Sequence, residues 1–307
     1  MPPKRKAAAG AKQAGGNCRK YAMAPILPAG EILCDFNKRN WVLGRSFASG
    51  GFGRIYMAKQ LEDKSNKQNF VVKMEPADNG PLFQETSMYR LIGKSDIIQK
   101  FKLAHGMKPN NDDIFTGEHH IEQQCLIMFI YKMGAVERVR YLMFLLPNFT
   151  DLEFLGIPTF HGSGTYFKDS LNYRFLIMPR FGSDVEKIRE SQSSGRFENV
   201  TDTCRLILTY LHSQNVVHAD LKGENLLLEA DIPATSSNLH KSYLADYGLA
   251  RRVPENAQYK EMPKKAHEGT LIFTSLDAHK GCSPVYRGDT EILDPAPKGQ
   301  KQLLCCK

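Results

Sequence analysis

The sequence lacks an uninterrupted apolar run long enough to cross a membrane. The apolar stretch from Cys125 to Phe149 is broken by Lys132, Glu137, Arg138 and Arg140, whereas a spanning helix needs about 20 nearly uninterrupted apolar residues. No membrane association is expected. The seven cysteines (Cys18, Cys34, Cys125, Cys204, Cys282, Cys305 and Cys306) are scattered and odd in number. That pattern argues against a disulfide framework and fits a reducing, intracellular compartment. Zinc spacing is absent too: His119, His120 and Cys125 match no known site and read as surface residues. Cys305-Cys306-Lys307 has no Cys fourth from the end, as a prenylation box requires. The charged N-terminus has no apolar core segment, so a secretory signal is not expected.

What is present describes a soluble globular protein: 42% hydrophobic and 24% charged residues over 307 positions, enough for one large domain or two lobes sharing a cleft. The formal charge of +8 suits acidic partners such as nucleic acid, chromatin proteins or a phosphorylated substrate. No direct nucleic-acid site is identified. Residues 1–36 are expected to be a basic, disordered tail, the first twenty being rich in Lys, Arg, Ala and Gly. Pro2-Pro3-Lys4-Arg5-Lys6 reads either as a nuclear import signal or as a solvated basic tail.

From Trp41 the texture becomes β. Trp41–Gly44, Arg54–Ala58 and Asn69–Lys73 read as consecutive antiparallel strands. The first turn, Ala48-Ser49-Gly50-Gly51-Phe52-Gly53, has glycines that let backbone amides approach phosphates, although a plain hairpin would look the same. A helical segment follows from about Leu82 to Gly93. It carries Glu85, which could pair with Lys73 and aim its ammonium at phosphates. Strands are expected around Thr159–Gly162 and Tyr173–Met178. Met178-Pro179-Arg180-Phe181-Gly182 then reads as a hinge, where the Pro179 carbonyl and the Phe181 amide could meet a purine edge. Short helices are expected from Asp184 and over Thr203–His212. In the polar segment between two apolar runs, His218-Ala219-Asp220-Leu221-Lys222-Gly223-Glu224-Asn225, the residues Asp220, Lys222 and Asn225 stand at offsets 0, 2 and 5. An Asp can accept a hydroxyl proton, a Lys can steady a transferring phosphoryl, and an Asn can hold a metal ion. A polar turn between strands is the plain alternative. In Ser242-Tyr243-Leu244-Ala245-Asp246-Tyr247-Gly248, Asp246 follows an apolar strand and precedes a Gly, and it offers hard oxygen donors that suit magnesium.

Taken together, the chain resembles the eukaryotic protein kinases, and more narrowly the vaccinia-related kinase family within their casein-kinase-like group. The resemblance rests on Glu75–Phe83, Tyr173–Met178, His218–Lys222, Asp246-Tyr247-Gly248, Gly269-Thr270 and Phe273–His279, and covers about residues 35–102 and 153–293. It implies an α+β, two-lobed kinase domain over residues 37–293, with a β-rich N-lobe and an incomplete helical C-lobe. Residues 294–307 would form a divergent tail. Asp220 would be the catalytic base and Lys222 a stabiliser of the γ-phosphoryl. Asn225 and Asp246 would hold Mg2+. Ala48, Ser49, Gly50, Gly51, Phe52, Gly53, Lys73, Glu85, Met178 and Phe181 would form the ATP site. The implied reaction is transfer from ATP to Ser or Thr on nuclear proteins such as histone tails and barrier-to-autointegration factor, by a monomer in the nucleus or also the cytoplasm.

The family pattern is not followed throughout. Residues of about 103–152 form an insertion, and the helix before His218 is shorter than usual. Ala219 replaces the Arg that docks an activation-loop phosphate, which implies activity that needs no phosphate on Thr270, Thr274 or Ser275. Arg287–Leu293 matches the start of a large anchoring helix, but Pro295 and Pro297 cannot continue it. A truncated C-lobe is therefore expected. The rival readings are a catalytically silent form that binds nucleotide or partners, and a small-molecule kinase, which the Gly269–His279 segment disfavours.

Overall fold

The computed structural model describes residues 23–49, 53–65, 68–105, 107, 154–191, 198–254, 261, 275–282 and 285–293. The expectations for Gly50, Gly51 and Phe52, for residues 108–152, for Gly269–Thr274 and for 294–307 lie outside the described residues.

Six antiparallel strands form the first half: β1 Ile32–Cys34, β2 Asn40–Ser49, β3 Arg54–Gln60, β4 Phe70–Pro76, β5 Gly162–Lys168 and β6 Leu171–Pro179. They lie in the order β1-β2-β3-β4-β6-β5. Strand alternation divides their side chains between two faces. Val71, Leu176 and Met178 enter the main core, which the helices complete. Tyr56, Ala58, Val72, Met74, Tyr173, Phe175 and Ile177 form a second core on the other face.

That second core corrects the expected tail boundary. Residues 23–36 belong to the sheet and its cover: β1 pairs with β2, and Ala24, Leu27 and Leu33 are buried. The Leu27 amide donates to Tyr56 Oη at 3.1 Å, and Arg54 Nε donates to the Ala24 carbonyl at 2.6 Å. A few apolar residues beyond a basic segment gave no periodic signal, yet an apolar sheet face needs a cover. The strand expected at Thr159–Gly162 also moves, starting only at Gly162 and running to Lys168. Its glycines hid it. A side chain at Gly164 would meet the Phe175 ring at 2.5 Å.

Helix α1, Pro81–Ile92, starts with proline, whose missing amide costs nothing there. Glu75 caps it, Oε1 accepting from the Leu82 amide at 2.9 Å. Arg174 on β6 lies 3.5 Å from the same oxygen and donates to the Asn79 and Ala77 carbonyls at 3.0 and 3.1 Å. This explains why Glu75–Phe83 and Tyr173–Met178 occur together as motifs. Helix α2, Ser95–Ala104, went unrecognised in the sequence. Its last two residues, Leu103 and Ala104, fall within the span expected as an insertion.

Helices α3 Val185–Ser191 and α4 Glu198–Ser213 follow. The second begins five residues before the expected Thr203. Val200, Cys204, Leu206, Ile207, Leu208, Tyr210 and Leu211 bury it. Tyr210 Oη donates to the Ile92 carbonyl at 2.5 Å, tying α4 to the end of α1. Short strands β7 Phe181–Asp184, β8 Val216–Val217, β9 Leu226–Glu229, β10 Ser242–Leu244 and β11 Arg251–Arg252 form ladders β10-β9-β7 and β11-β8. Helices α5 Leu276–His279 and α6 Tyr286–Glu291 come last. Among the described residues no helix is long and apolar enough to cross a membrane.

Candidate active site

Lys73 sits on central strand β4, opposite Ile55 on one side and Leu176 on the other, so its backbone has little freedom. Its Nζ lies 2.6 Å from Glu85 Oε2 and 3.5 Å from Asp246 Oδ1. Burial works against the ammonium, but Glu85 and then Asp246 outweigh it and hold its pKa above the ordinary lysine value. Lys73 is therefore a fixed cation between α1 and the segment after β10.

The loop after β8 is built by its own hydrogen bonds. Asp220 Oδ2 lies 3.0 Å from Lys222 Nζ and accepts from Asn225 Nδ2 at 3.2 Å. The same nitrogen donates to the Asp220 carbonyl at 2.8 Å. A 3-10 turn, Gly223–Asn225, leads into β9. His218 Nε2 donates to the Ala245 carbonyl at 3.1 Å, which leaves Nδ1 to accept from the Asp220 amide at 3.3 Å. These two bonds require the neutral ring with its proton on Nε2. The Ala245 amide donates to the Asn225 carbonyl at 2.8 Å, placing Asp246 beside the loop.

Asp246 has a left-handed backbone, φ 61°, a strained conformation for a non-glycine residue. Its carboxylate is about half exposed. Burial raises its pKa, but Lys73, the Gly248 amide and Lys222 outweigh that and hold it below the ordinary aspartate value. The next ring, Tyr247, meets Tyr89 edge-on at 5.0 Å and His218 at 4.9 Å. An aromatic chain thus joins α1 to the loop after β8.

Of the glycine-rich turn, Ala48 and Ser49 end β2 and pair with Ile55 and Arg54. Gly53 leads into β3 where a Cβ would lie 2.2 Å from the Met74 carbonyl. Met178 is buried and pairs with Val71. The Arg180 amide donates to the Asn69 carbonyl at 2.8 Å, so Pro179, opposite Phe70, takes a position without ladder hydrogen bonds. That register tolerates the proline and turns its carbonyl away from β4. Phe181, expected in a plain hinge, instead opens strand β7.

Sequence reasoning missed Asp289 and Gln84. Asp289, on α6, accepts from the amides of His218 at 2.8 Å and Ala219 at 2.9 Å and lies 3.2 Å from His212 Nε2. Gln84 Nε2 donates to the Ala250 carbonyl at 2.9 Å. Asp289 lies inside the quoted Arg287–Leu293 motif, the one signal that could have pointed to it.

The protein kinase domain family matches residues 172–275. Human serine/threonine-protein kinase VRK2 is 36% identical over 302 residues, covering 95% of this chain and 46% of that protein. The probable serine/threonine-protein kinase FPV212 of fowlpox virus is 33% identical over 276 residues, covering 87% of this chain and 72% of the viral protein. Nucleosomal histone kinase 1 of Drosophila melanogaster is 31% identical over 298 residues, covering 94% of this chain and 41% of its own. The chain thus spans less than half the length of these two animal relatives. The solved structure of vaccinia related kinase 3 superposes with a TM-score of 0.60 at 23% identity, over 88% of this chain and 66% of that one, a likeness that shows the α+β kinase fold. The chain belongs to the vaccinia-related kinase family of serine/threonine protein kinases.

Proposed function

We propose that this chain transfers the γ-phosphoryl group of ATP to Ser or Thr hydroxyls of protein substrates. The observation that carries the reading is the position of Lys73, 2.6 Å from Glu85 and 3.5 Å from Asp246, beside a loop in which Lys222 and Asn225 orient the Asp220 carboxylate. In this reading Lys73, aimed by Glu85, binds the ATP phosphates. Ala48–Gly53 covers them, and Met178 and Phe181 line the adenine end. Asp220 takes the proton of the attacking hydroxyl and Lys222 neutralises charge on the moving phosphoryl.

The residues present fit Mg2+. Among the described residues no three His, Cys, Asp or Glu side chains converge on a metal position. An ion bound through substrate phosphates needs only one or two protein oxygens. Asp246 offers an ionised, half-exposed carboxylate. Asn225 spends its Nδ2 on Asp220, which leaves Oδ1 as the end to meet a cation. When bound, the ion would spread the negative charge of the phosphates.

Basic chromatin proteins are the substrates in this reading, which the name of the Drosophila relative supports, met by a monomer in the nucleus or also the cytoplasm. The test is radiolabel transfer from ATP to purified histones, with Asp220→Asn as the control. Label that depends on Asp220 supports the kinase. Saturable Mg-ATP binding without label transfer would favour the silent, partner-binding form instead.

A further inference from the structure

Gln84 stands one residue before Glu85 on α1, and its Nε2 donates to the carbonyl of Ala250 at 2.9 Å. Ala250 is fully buried and closes the turn after Asp246, its amide donating to the Tyr247 carbonyl at 3.2 Å. The next residue opens β11, which pairs with β8, the strand leading into His218 and Asp220. The Ala250 carbonyl therefore belongs to the frame of the catalytic loop. Arg251 Nη1 donates to the same oxygen at 2.9 Å, so both of its lone pairs are engaged and the acceptor is held in place.

Glu85 meets Lys73 only if α1 lies in register against the sheet. Where an activation-loop phosphate sets that register, a guanidinium beside the catalytic Asp reads it. Ala219 occupies that place and has no group to read a phosphate. The helix then needs another fastening. A ring contact and a hydrogen bond are among the contacts that join α1 to the segment after Asp246. The Tyr89–Tyr247 ring contact at 5.0 Å is apolar and tolerates sliding. The Gln84–Ala250 bond is directional and fails within a fraction of an ångström.

We propose that Gln84 is a positioning residue: its bond to Ala250 keeps α1 seated so that Glu85 stays on Lys73 and the ATP site is assembled without a phosphate on the segment after Asp246. This rests on the kinase reading given under Proposed function.

The test uses the full chain after phosphatase treatment, as wild type, Gln84→Met (similar length, no donor) and Gln84→Lys (a donor retained). It reads hydrogen exchange of the α1 amides, together with kcat and KM for ATP. The expected result is a wild-type rate unchanged by phosphatase. Gln84→Met should speed α1 exchange and raise KM for ATP, each about tenfold, the size of one net hydrogen bond, with kcat within about twofold. Gln84→Lys should restore both. The proposal is overturned by a wild-type rate abolished by phosphatase, by α1 exchange and KM unmoved in Gln84→Met, or by Gln84→Lys as impaired as Gln84→Met. A wild type that transfers no phosphate sinks the kinase reading, and the exchange comparison then decides the Gln84 fastening by itself.

Discussion

Asp289 on α6 accepts a hydrogen bond from the backbone amide of Ala219 at 2.9 Å, and so fixes a residue whose own conformation is unfavourable. Ala219 has φ 64°, in the left-handed region that costs an L-residue about 1–2 kcal/mol. The same carboxylate accepts from the His218 amide, so one buried side chain sets the two residues before Asp220.

Removing that acceptor should be severe. Asp289→Ala leaves the buried His218 amide and the half-buried Ala219 amide unpaired, and loss of a buried charged partner costs about 3–5 kcal/mol. Urea denaturation should show a loss of unfolding free energy of that order, with Asp289→Asn intermediate because one amide oxygen remains to accept. Equal stability of all three proteins would contradict the clamp.

The same residue predicts a pH dependence. Burial raises the pKa of Asp289, but His212 and the hydrogen bond from the Ala219 amide outweigh this and hold it below the ordinary value. A folded value below the unfolded one stabilises the protein above the ordinary Asp pKa of about 3.9. That stability drains away as pH falls through the folded value. Melting temperatures of wild type and Asp289→Asn should therefore differ most near neutrality and converge below about pH 4.

Lys73 and Glu85 should respond unequally to mutation. The Glu85 side chain is 2% exposed and that of Lys73 29%. Lys73→Met strands a buried carboxylate, whereas Glu85→Gln leaves a cation that can still reach water and Asp246. Both variants should lose kcat/KM for ATP by about 10- to 100-fold, the range of a charge-assisted hydrogen bond. In calorimetry, however, Lys73→Met should melt at the lower temperature.

How much of this was legible in the sequence depended on distance along the chain. Asp220, Lys222 and Asn225 stand at short, fixed offsets, and Lys73, Glu85 and Asp246 each lie in or next to a readable strand or helix. Asp289 acts on residues 70 and 71 positions away, and Gln84 on one 166 away. No local pattern distinguishes Gln84 from an ordinary polar surface residue, and Asp289 is marked only by its place in the Arg287–Leu293 motif. The cover formed by residues 23–36 was hidden for a different reason: its apolar residues follow a basic segment, and the face they bury exists only once β3, β4 and β6 have paired.

Tyr247 offers a test of packing against polarity. Its ring contacts Tyr89 and His218, while its hydroxyl is buried with no hydrogen-bond partner among the described residues. An unsatisfied buried hydroxyl costs about 1–3 kcal/mol, and removing it cleanly recovers part of that. Tyr247→Phe should therefore match or exceed wild-type stability by up to about 1 kcal/mol and keep the ring contacts. Tyr247→Ala should lose about 3–5 kcal/mol through the cavity it leaves. Chemical denaturation of the two variants decides the matter, and a Tyr247→Phe variant well below wild type would mean that the hydroxyl has a partner.

Gly53 makes the sharpest steric prediction. A methyl group there would lie 2.2 Å from the Met74 carbonyl and 3.1 Å from Glu75 Cβ, with no flexible side-chain end to yield. Met74 pairs with Arg54 in the β3–β4 ladder, so relief requires β3 to move away from β4 next to Lys73. Gly53→Ala should therefore lower stability by about 1–3 kcal/mol, as overpacking does. It should also weaken ATP binding more than substitution of the preceding Phe52 by Ala, because it displaces β3 itself beside Lys73. Isothermal titration with an ATP analogue and thermal melts of both variants supply the comparison. Gly53→Ala with wild-type stability and affinity would show that the two strands separate freely, contrary to their tight register.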